Sequence, residues 1–509
     1  MVAKLTLLYT RMMVDNITTA SCAWQTLWHA KKNVCFPVAL FFLSLAVHLL
    51  PFFLYGAHPL GYDTGFYRRY LIQPFIAFPN AAVPGLGDDA LVPRLIFDLL
   101  RLLHTPSDLI LYGSYILIFA LLPIALYFLL RPRLGTRGAF IGGLLLLFSP
   151  VAYSAYSYML WKNAWALLLL LLAYLCFEKR LFVPLIVLDI AIALSHKTTT
   201  LVYLLSFAFL FFKGRRGEIF AHIAVAGLCF ALVNTTLPHT IALSMPVAVF
   251  LDWSDYLRLS LPLLFAALFC GKTIREKEIA PPIIVLFIIG AAFSLLHLPF
   301  YERIFIFSDI ALIALAAYGI ETLLEAFSER PKTDGRSSTS SVVKHVSLAM
   351  RVVMLMQKLS FFRQFSDDLK SLAAFATIAV IVGLQLGNLS SQVRNLRPLV
   401  SETTVTEIEA IGKILPHDAT VLTSASEAPW YEGWTLAHVA APGMLRDRHN
   451  LEAWEALWAT SSPSAKAAFL KSFPRPLYLS SFDDIGTIIG TLPPCLQKIT
   501  PELYKDECR

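Results

Sequence analysis

Residues 59–70 read Pro-Leu-Gly-Tyr-Asp-Thr-Gly-Phe-Tyr-Arg-Arg-Tyr. They gather one carboxylate (Asp63), two guanidinium groups (Arg68, Arg69) and the rings of Tyr62, Phe66, Tyr67 and Tyr70 directly after a long apolar run. A lone acid can serve as a general base, and paired arginines can hold phosphate oxygens through charge-assisted hydrogen bonds. Tyr62 and Tyr67 stand beside the acid, where their rings could contact a bound substrate. Together these groups suit an anionic, lipid-linked substrate. The same residues also suit an interfacial loop that anchors a helix end. Gly61 and Gly65 flank the acid and predict a sharp backbone turn, since glycine takes positive φ at little cost.

Further along, Ser195-His196-Lys197-Thr198-Thr199-Thr200 forms a polar knot between two apolar runs. Ionisable groups at membrane depth are expensive and mark function by default, and His196 and Lys197 with three threonines offer donors for a phosphate. Phe300-Tyr301-Glu302-Arg303 opens a late apolar run. Arg303 can fork onto phosphate oxygens, or it can pair with Glu302 or Asp309. Asp88-Asp89 could bind a divalent metal such as Mg²⁺ or Mn²⁺, or cap the following helix. Lys162 follows the aromatic belt Tyr153, Tyr156, Tyr158 and Trp161, where snorkelling accounts for it. Gly271-Lys272-Thr273 resembles the end of a phosphate-binding loop, but Ala266 stands where its first glycine is required, which removes nucleotide binding.

These residues need a scaffold, and composition names its kind. The chain has 509 residues, 57% apolar and only 15% charged, with a mean hydropathy of +0.64. Soluble domains carry about 25% charged residues. Repeated apolar runs therefore predict a polytopic α-helical membrane protein with about eleven spans, near 34–56, 108–130, 138–152, 160–177, 181–195, 198–212, 219–235, 258–271, 280–298, 303–323 and 371–388. Gly138 and Gly142 form a Gly-x-x-x-Gly pair suited to close helix packing. The formal charge of +7 does not point to nucleic acid, because the basic residues sit in short loops. With residues 1–33 inside, each loop rich in Lys and Arg falls on the cytoplasmic side. Asp63, His196, Lys197, Asp252, His297 and Arg303 then share the outer face.

The long outer loop 57–107 contains an amphipathic stretch over 91–104 that suits an interfacial helix. Residues 34–324 form the membrane catalytic module, 325–370 a cytoplasmic linker with an amphipathic helix, and 371–388 the last span. Residues 389–509 read as a small extracytoplasmic α/β domain, with helices over 405–415, 451–459 and 464–472 and strands over 419–423 and 476–480. Trp430 and Trp434 lie on its loops, where they could stack a sugar or pack the domain onto the membrane part. Cys495 and Cys508 could pair if the tail faces an oxidising compartment.

Gly61-Tyr-Asp63 after the first span, the long first outer loop and Phe300-Tyr-Glu-Arg303 opening a late span resemble the GT-C superfamily of membrane glycosyltransferases. That superfamily includes protein mannosyltransferases, oligosaccharyltransferases and aminoarabinose transferases. There are departures: no Asp-Glu pair stands at position 63, and the tail has no WWD motif. The resemblance implies a polyprenyl-phosphate-linked sugar donor and an inverting transfer at the outer face of the plasma membrane. Asp63 would be the base, and Arg303, Lys197, His196, Arg68 or Arg69 would hold the leaving phosphate. Two other readings stay open, a non-catalytic assembly protein of the same fold and a transporter of a lipid-linked or anionic substrate.

Overall fold

The computed structural model describes residues 34–56, 60–61, 63–72, 91–211, 215–236, 251–270, 280–298, 301–328, 367–395, 400–441, 454, 462–480, 493 and 495–507. Helix α1 spans Val34–Tyr55 and ends at Gly56, whose φ of 90° makes it a left-handed cap. Helix α2 (Thr64–Ile72) and helix α3 (Leu91–Leu102) follow. Helix α4 (Leu109–Leu147) is interrupted at Gly135, where φ is 70° and ψ −175°. Its two limbs fold back on each other: a Cβ on Gly143 would meet the Pro123 carbonyl at 3.2 Å, and one on Gly142 the Leu130 side chain at 2.6 Å. The expected spans 108–130 and 138–152 are therefore limbs of one hairpin, and residues 150–157 form a separate helix, α5 (Pro150–Ser157).

Helices α6 (Trp161–Glu178), α7 (Phe182–Ala193), α8 (Lys197–Phe211), α9 (Arg216–Thr236), α10 (Trp253–Ala267), α11 (Pro281–Leu295), α12 (Tyr301–Ser328) and α13 (Asp367–Asn395) complete the membrane part. Among the described residues, α1, α4, α6, Tyr301–Glu325 of α12 and Ala376–Arg394 of α13 are long and apolar enough to cross a membrane. Helices α7, α8 and α11 are apolar but shorter. This is a multi-pass membrane protein, although the expected eleven full-length spans are not matched one for one.

Helix α12 is the axis of the bundle, buried throughout its apolar length. Its neighbours approach through small residues. A Cβ on Gly319 would lie 1.9 Å from the Ala266 carbonyl of α10, and one on Gly290 of α11 would lie 2.2 Å from the Ser308 hydroxyl. The Gly-x-x-x-Gly pair acts as expected, with Gly142 facing Ala317 and Gly138 facing Glu321. Charges collect at one end of the bundle. Arg133 pairs with Glu178 at 2.6 Å, Arg137 pairs with Glu321 at 2.8 Å, and Arg215 donates to the Phe177 carbonyl at 3.1 Å. These are loops that the positive-inside pattern assigns to one side.

The tail carries helix α14 (Glu402–Ile414), strand β1 (Thr420–Leu422), helix α15 (Ala428–Trp434), strand β2 (His438–Ala440), helix α16 (Pro463–Leu470) and strands β3 (Leu477–Ser480), β4 (Leu496–Thr500) and β5 (Leu503–Asp506). The sheet order is β2-β1-β3-β5-β4, parallel across β2-β1-β3 and antiparallel across β3-β5-β4. The two faces of the sheet bury different cores. Val421, Tyr478 and Leu503 meet Val405, Ile408, Trp430 and Tyr431, while Leu422, Leu479 and Tyr504 meet Trp454, Leu470 and Phe473. The expected strands at 419–423 and 476–480 are β1 and β3, whereas β2 and the terminal hairpin are additions. Of the expected helix over 451–459, only Trp454 falls within the described residues. Cys495 is disulfide-bonded.

Candidate active site

Asp63 stands immediately before α2, and its carbonyl accepts the Tyr67 amide at 3.3 Å. Upstream, the Gly61 amide donates to the Ser157 carbonyl at 2.9 Å, which pins the segment to the corner between α5 and α6. A Cβ on Gly61 would lie 2.5 Å from that carbonyl and 2.9 Å from the Tyr158 Cα. Neither Gly61 nor Gly65 has a positive φ. The expected turning role is thus replaced by close approach: backbone meets backbone where a side chain would not fit.

The Asp63 carboxylate is half-buried and accepts no hydrogen bond among the described residues. Burial raises its pKa to about 6, and the positive charges of Lys162 and Arg303 oppose that rise. Both cations act on Asp63 from beyond ion-pair distance. Lys162 lies in the first turn of α6, where Trp161 is held by its indole N–H donating to Ser114 Oγ at 2.9 Å. The Lys162 amide reaches the Tyr67 hydroxyl at 3.5 Å. Arg303 lies in the first turn of α12 and is exposed, with no side-chain partner among the described residues. The alternative pairing of Arg303 with Asp309 is not observed; Asp309 Oδ2 instead accepts the Ser149 hydroxyl at 2.6 Å. Three helix beginnings, from α2, α6 and α12, therefore aim one acid and two cations at a common space. The backbone amides that begin a helix favour negative charge nearby.

From sequence, snorkelling accounts for Lys162; its place one residue past the aromatic belt does not separate an anchor from a charge aimed at Asp63.

Other expected site residues lie elsewhere. The His196 ring caps α8, its Nδ1 meeting the Thr199 hydroxyl at 3.0 Å and the Thr199 amide at 3.4 Å. Lys197 is half-buried beside it, and neither is among the charges acting on Asp63. Arg68 donates to Asp108 at 3.0 Å and to the Gly433 carbonyl at 2.8 Å, and its guanidinium lies 4.4 Å from the Trp434 ring centre. Arg69 donates to the Leu436 and Ala437 carbonyls at 2.9 and 3.1 Å and also to Thr435 O. Both arginines therefore tie α2 to the tail, Arg68 through the Gly433 carbonyl with its Nε on Asp108 and Arg69 through three tail carbonyls. Trp430 and Trp434 do not form an open sugar platform: both are buried, their rings 5.0 Å apart, in the core between α14, α15 and the sheet, and Trp434 also meets Arg68 of α2. Tyr67 is buried beneath Lys162. Tyr62, Asp88 and Asp89 lie outside the described residues. No group of three His, Cys, Asp or Glu side chains placed to hold a metal occurs among the described residues.

At the opposite, charge-paired end of the bundle, a depression of about 500 Å³ is lined by Arg180, Phe182, Arg215 and Glu218. It lies far along the chain fold from Asp63 and shares no residue with that cluster.

No protein-family model matches the chain, and no curated protein matches it in sequence. Solved structures do match in fold. An oligosaccharyltransferase from Archaeoglobus fulgidus, tethered to an acceptor peptide containing the NVT sequon, aligns with a TM-score of 0.59 at 10% identity, over 90% of this chain and 69% of its own. ArnT from Cupriavidus metallidurans, bound to undecaprenyl phosphate, aligns with a TM-score of 0.54 at 12% identity, over 93% of this chain and 97% of its own. The mycobacterial arabinofuranosyltransferase AftD aligns with a TM-score of 0.54 at 14% identity, over 91% of this chain and 37% of its own. At such identities the likeness speaks for architecture, and on that ground this chain has a GT-C-like fold, that of a superfamily of membrane glycosyltransferases.

Proposed function

We propose that this protein is an integral-membrane glycosyltransferase that moves a sugar from a polyprenyl-phosphate donor to an acceptor on the extracytoplasmic face of the plasma membrane. One observation carries the reading: the unpaired Asp63 carboxylate faces Lys162 and Arg303 across a gap rather than through an ion pair. A structural acid would be expected to pair with such neighbours. A gap between opposed charges suits two substrates meeting there, an acceptor whose hydroxyl lies beside Asp63 and a donor whose phosphate lies beside the cations.

In the transfer, Asp63 takes the proton of an acceptor hydroxyl as its oxygen attacks the anomeric carbon. The bond from that carbon to the phosphate oxygen breaks, and the lipid phosphate leaves with the electron pair. Lys162 and Arg303 stabilise the negative charge that develops there. A base with a pKa near 6 is ionised at neutral pH yet more basic than an ordinary carboxylate, which favours proton transfer. Attack from the side opposite the phosphate inverts the anomeric carbon. The bound undecaprenyl phosphate of the ArnT structure supports a lipid-phosphate donor for this fold. The disulfide at Cys495 supports a tail in an oxidising, extracytoplasmic compartment.

The test is release of polyprenyl phosphate by purified protein from a panel of polyprenyl-phosphate sugars, wild type against Asp63→Asn. Release in the wild type, lowered at least 100-fold in the variant, is the expected result. Release that persists in Asp63→Asn removes Asp63 from the chemistry. Donor binding without release by the wild type, across a panel of acceptors, favours a non-catalytic assembly protein.

A further inference from the structure

The short helix α2, which carries Asp63 at its start, is enclosed on two sides. Tyr67 and Tyr70 face the membrane module: Tyr67 meets the Lys162 amide, and the Tyr70 hydroxyl donates to Asp98 of α3 at 2.7 Å. Gly65, Phe66, Arg68 and Arg69 face the tail, more than 350 residues away in sequence. Gly65 crosses α15 at Gly433, and a Cβ on Gly433 would lie 2.5 Å from the Gly65 Cα. A Cβ on Gly65 would lie 1.5 Å from the Pro429 carbonyl. Phe66 packs with Ala428 and Ala441. Arg69 then closes the end of α15 by donating to three successive carbonyls, those of Thr435, Leu436 and Ala437. Those carbonyls follow the last turn of a helix and have few intrahelical donors of their own.

We propose that Arg69 is a positioning residue that acts through the tail: the docked tail holds α2 so that Asp63 faces Lys162 and Arg303. This rests on the glycosyltransferase reading for its catalytic consequence. It does not rest on it for the placement of Asp63, which can be measured without turnover. Arg69 touches neither Asp63 nor the two cations, and its donors end on tail carbonyls. Loosening α15 from α2 removes the tail-side wall of that helix and lets water reach Asp63. Among the described residues, the groups acting on that carboxylate are Lys162 of α6, Arg303 of α12 and the Tyr115 phenol of α4, and none of these belongs to the tail. A shift of the acid on tail release therefore reports solvent entry and displacement, not the loss of a tail charge.

The experiment uses the full-length protein in detergent with Arg69→Ala, Arg69→Lys and, as a steric counterpart, Gly65→Ala. Amide hydrogen exchange over 64–72 and 428–437 reports docking. Carbodiimide labelling of Asp63 across pH, followed by mass spectrometry, reports its protonation. Polyprenyl phosphate release reports turnover. In Arg69→Ala and Gly65→Ala, exchange in both segments is expected to quicken at least tenfold. The labelling midpoint is expected to fall from about 6 toward 4. Where turnover is present, kcat is expected to fall 10- to 100-fold with donor KM changed less than threefold. Arg69→Lys, which keeps a donor, is expected to recover part of each effect. A variant whose tail undocks while the Asp63 midpoint and kcat stay at wild-type values overturns the proposal, as does docking that persists in both Arg69→Ala and Gly65→Ala. A wild type with no turnover but the expected shift in labelling removes the glycosyltransferase reading and leaves the positioning role standing.

Discussion

Replacing Asp63 by Asn separates a group placed for chemistry from one placed for structure. In the folded protein the Asp63 pKa is raised from an ordinary 3.8 to about 6, with burial as the main cause. Between about pH 4 and 6 the folded state holds a proton that the unfolded chain has released. Stability therefore falls as pH rises through that window and is level above it. A shift of about 2 units corresponds to about 3 kcal/mol at neutral pH, and the partial exposure of the side chain reduces this to about 2 kcal/mol. Asn caps a helix as well as Asp does, so the start of α2 is not weakened. Asp63→Asn is accordingly expected to be more stable than the wild type at pH 7–8, raising the apparent Tm in detergent by a few degrees, while it loses activity. The gap is expected to close as pH falls from 6 to 4. Thermal unfolding of both proteins at unit steps from pH 4 to 8 measures this. A variant less stable than the wild type at pH 7, or a gap that does not change with pH, refutes the electrostatic account and makes Asp63 a structural residue.

Lys162→Met removes a charge that lowers the Asp63 pKa. One pKa unit corresponds to about 1.4 kcal/mol, the order of a single opposite charge acting beyond ion-pair distance, so the acid limb of the rate profile should move up from pH 6 by about one unit; an unmoved limb excludes the coupling. Arg137→Ala leaves the buried Glu321 without its partner and is expected to lower stability by about 1–3 kcal/mol, read as a fall in apparent Tm, with Glu321→Gln in the same protein restoring part of it. Gly319→Ala places a Cβ 1.9 Å from the Ala266 carbonyl, where the backbones of α10 and α12 must part. The yield of monodisperse protein on size-exclusion chromatography should fall sharply, and a wild-type profile would show that this crossing is looser than the structure has it.

Hydropathy periods and basic loops are properties of single segments, and they were sufficient for the class of the protein. The apolar runs correspond to helices, and Arg133, Arg137 and Arg215 meet at one end as the charge pattern requires. The acid before α2 and the arginine opening α12 also stood out, because an ionisable group at an apolar helix end is rare enough to notice. The two strands β1 and β3 were legible as short apolar runs between turn residues. Edge strands β2 and β4 were not, since exposed, mixed residues such as Gln497 and Lys498 carry no alternation to read, and β5 is a four-residue strand that pairs with β4.

The roles of neighbouring side chains were settled by tertiary structure alone. Arg68 and Arg69 have the chemistry of phosphate ligands, yet α15, distant in sequence, supplies carbonyls that take up their donors. Trp430 and Trp434 have the chemistry of a sugar platform, yet the core of the tail between α14, α15 and the sheet encloses them. Lys162 looked like an anchor, and only the convergence of α2 and α6 turns its charge toward Asp63. Sequence determines which groups are available and which segments are apolar helices, because hydropathy and periodicity are local. Which acid meets which cation depends on contacts between segments hundreds of residues apart, and those distances are fixed by packing.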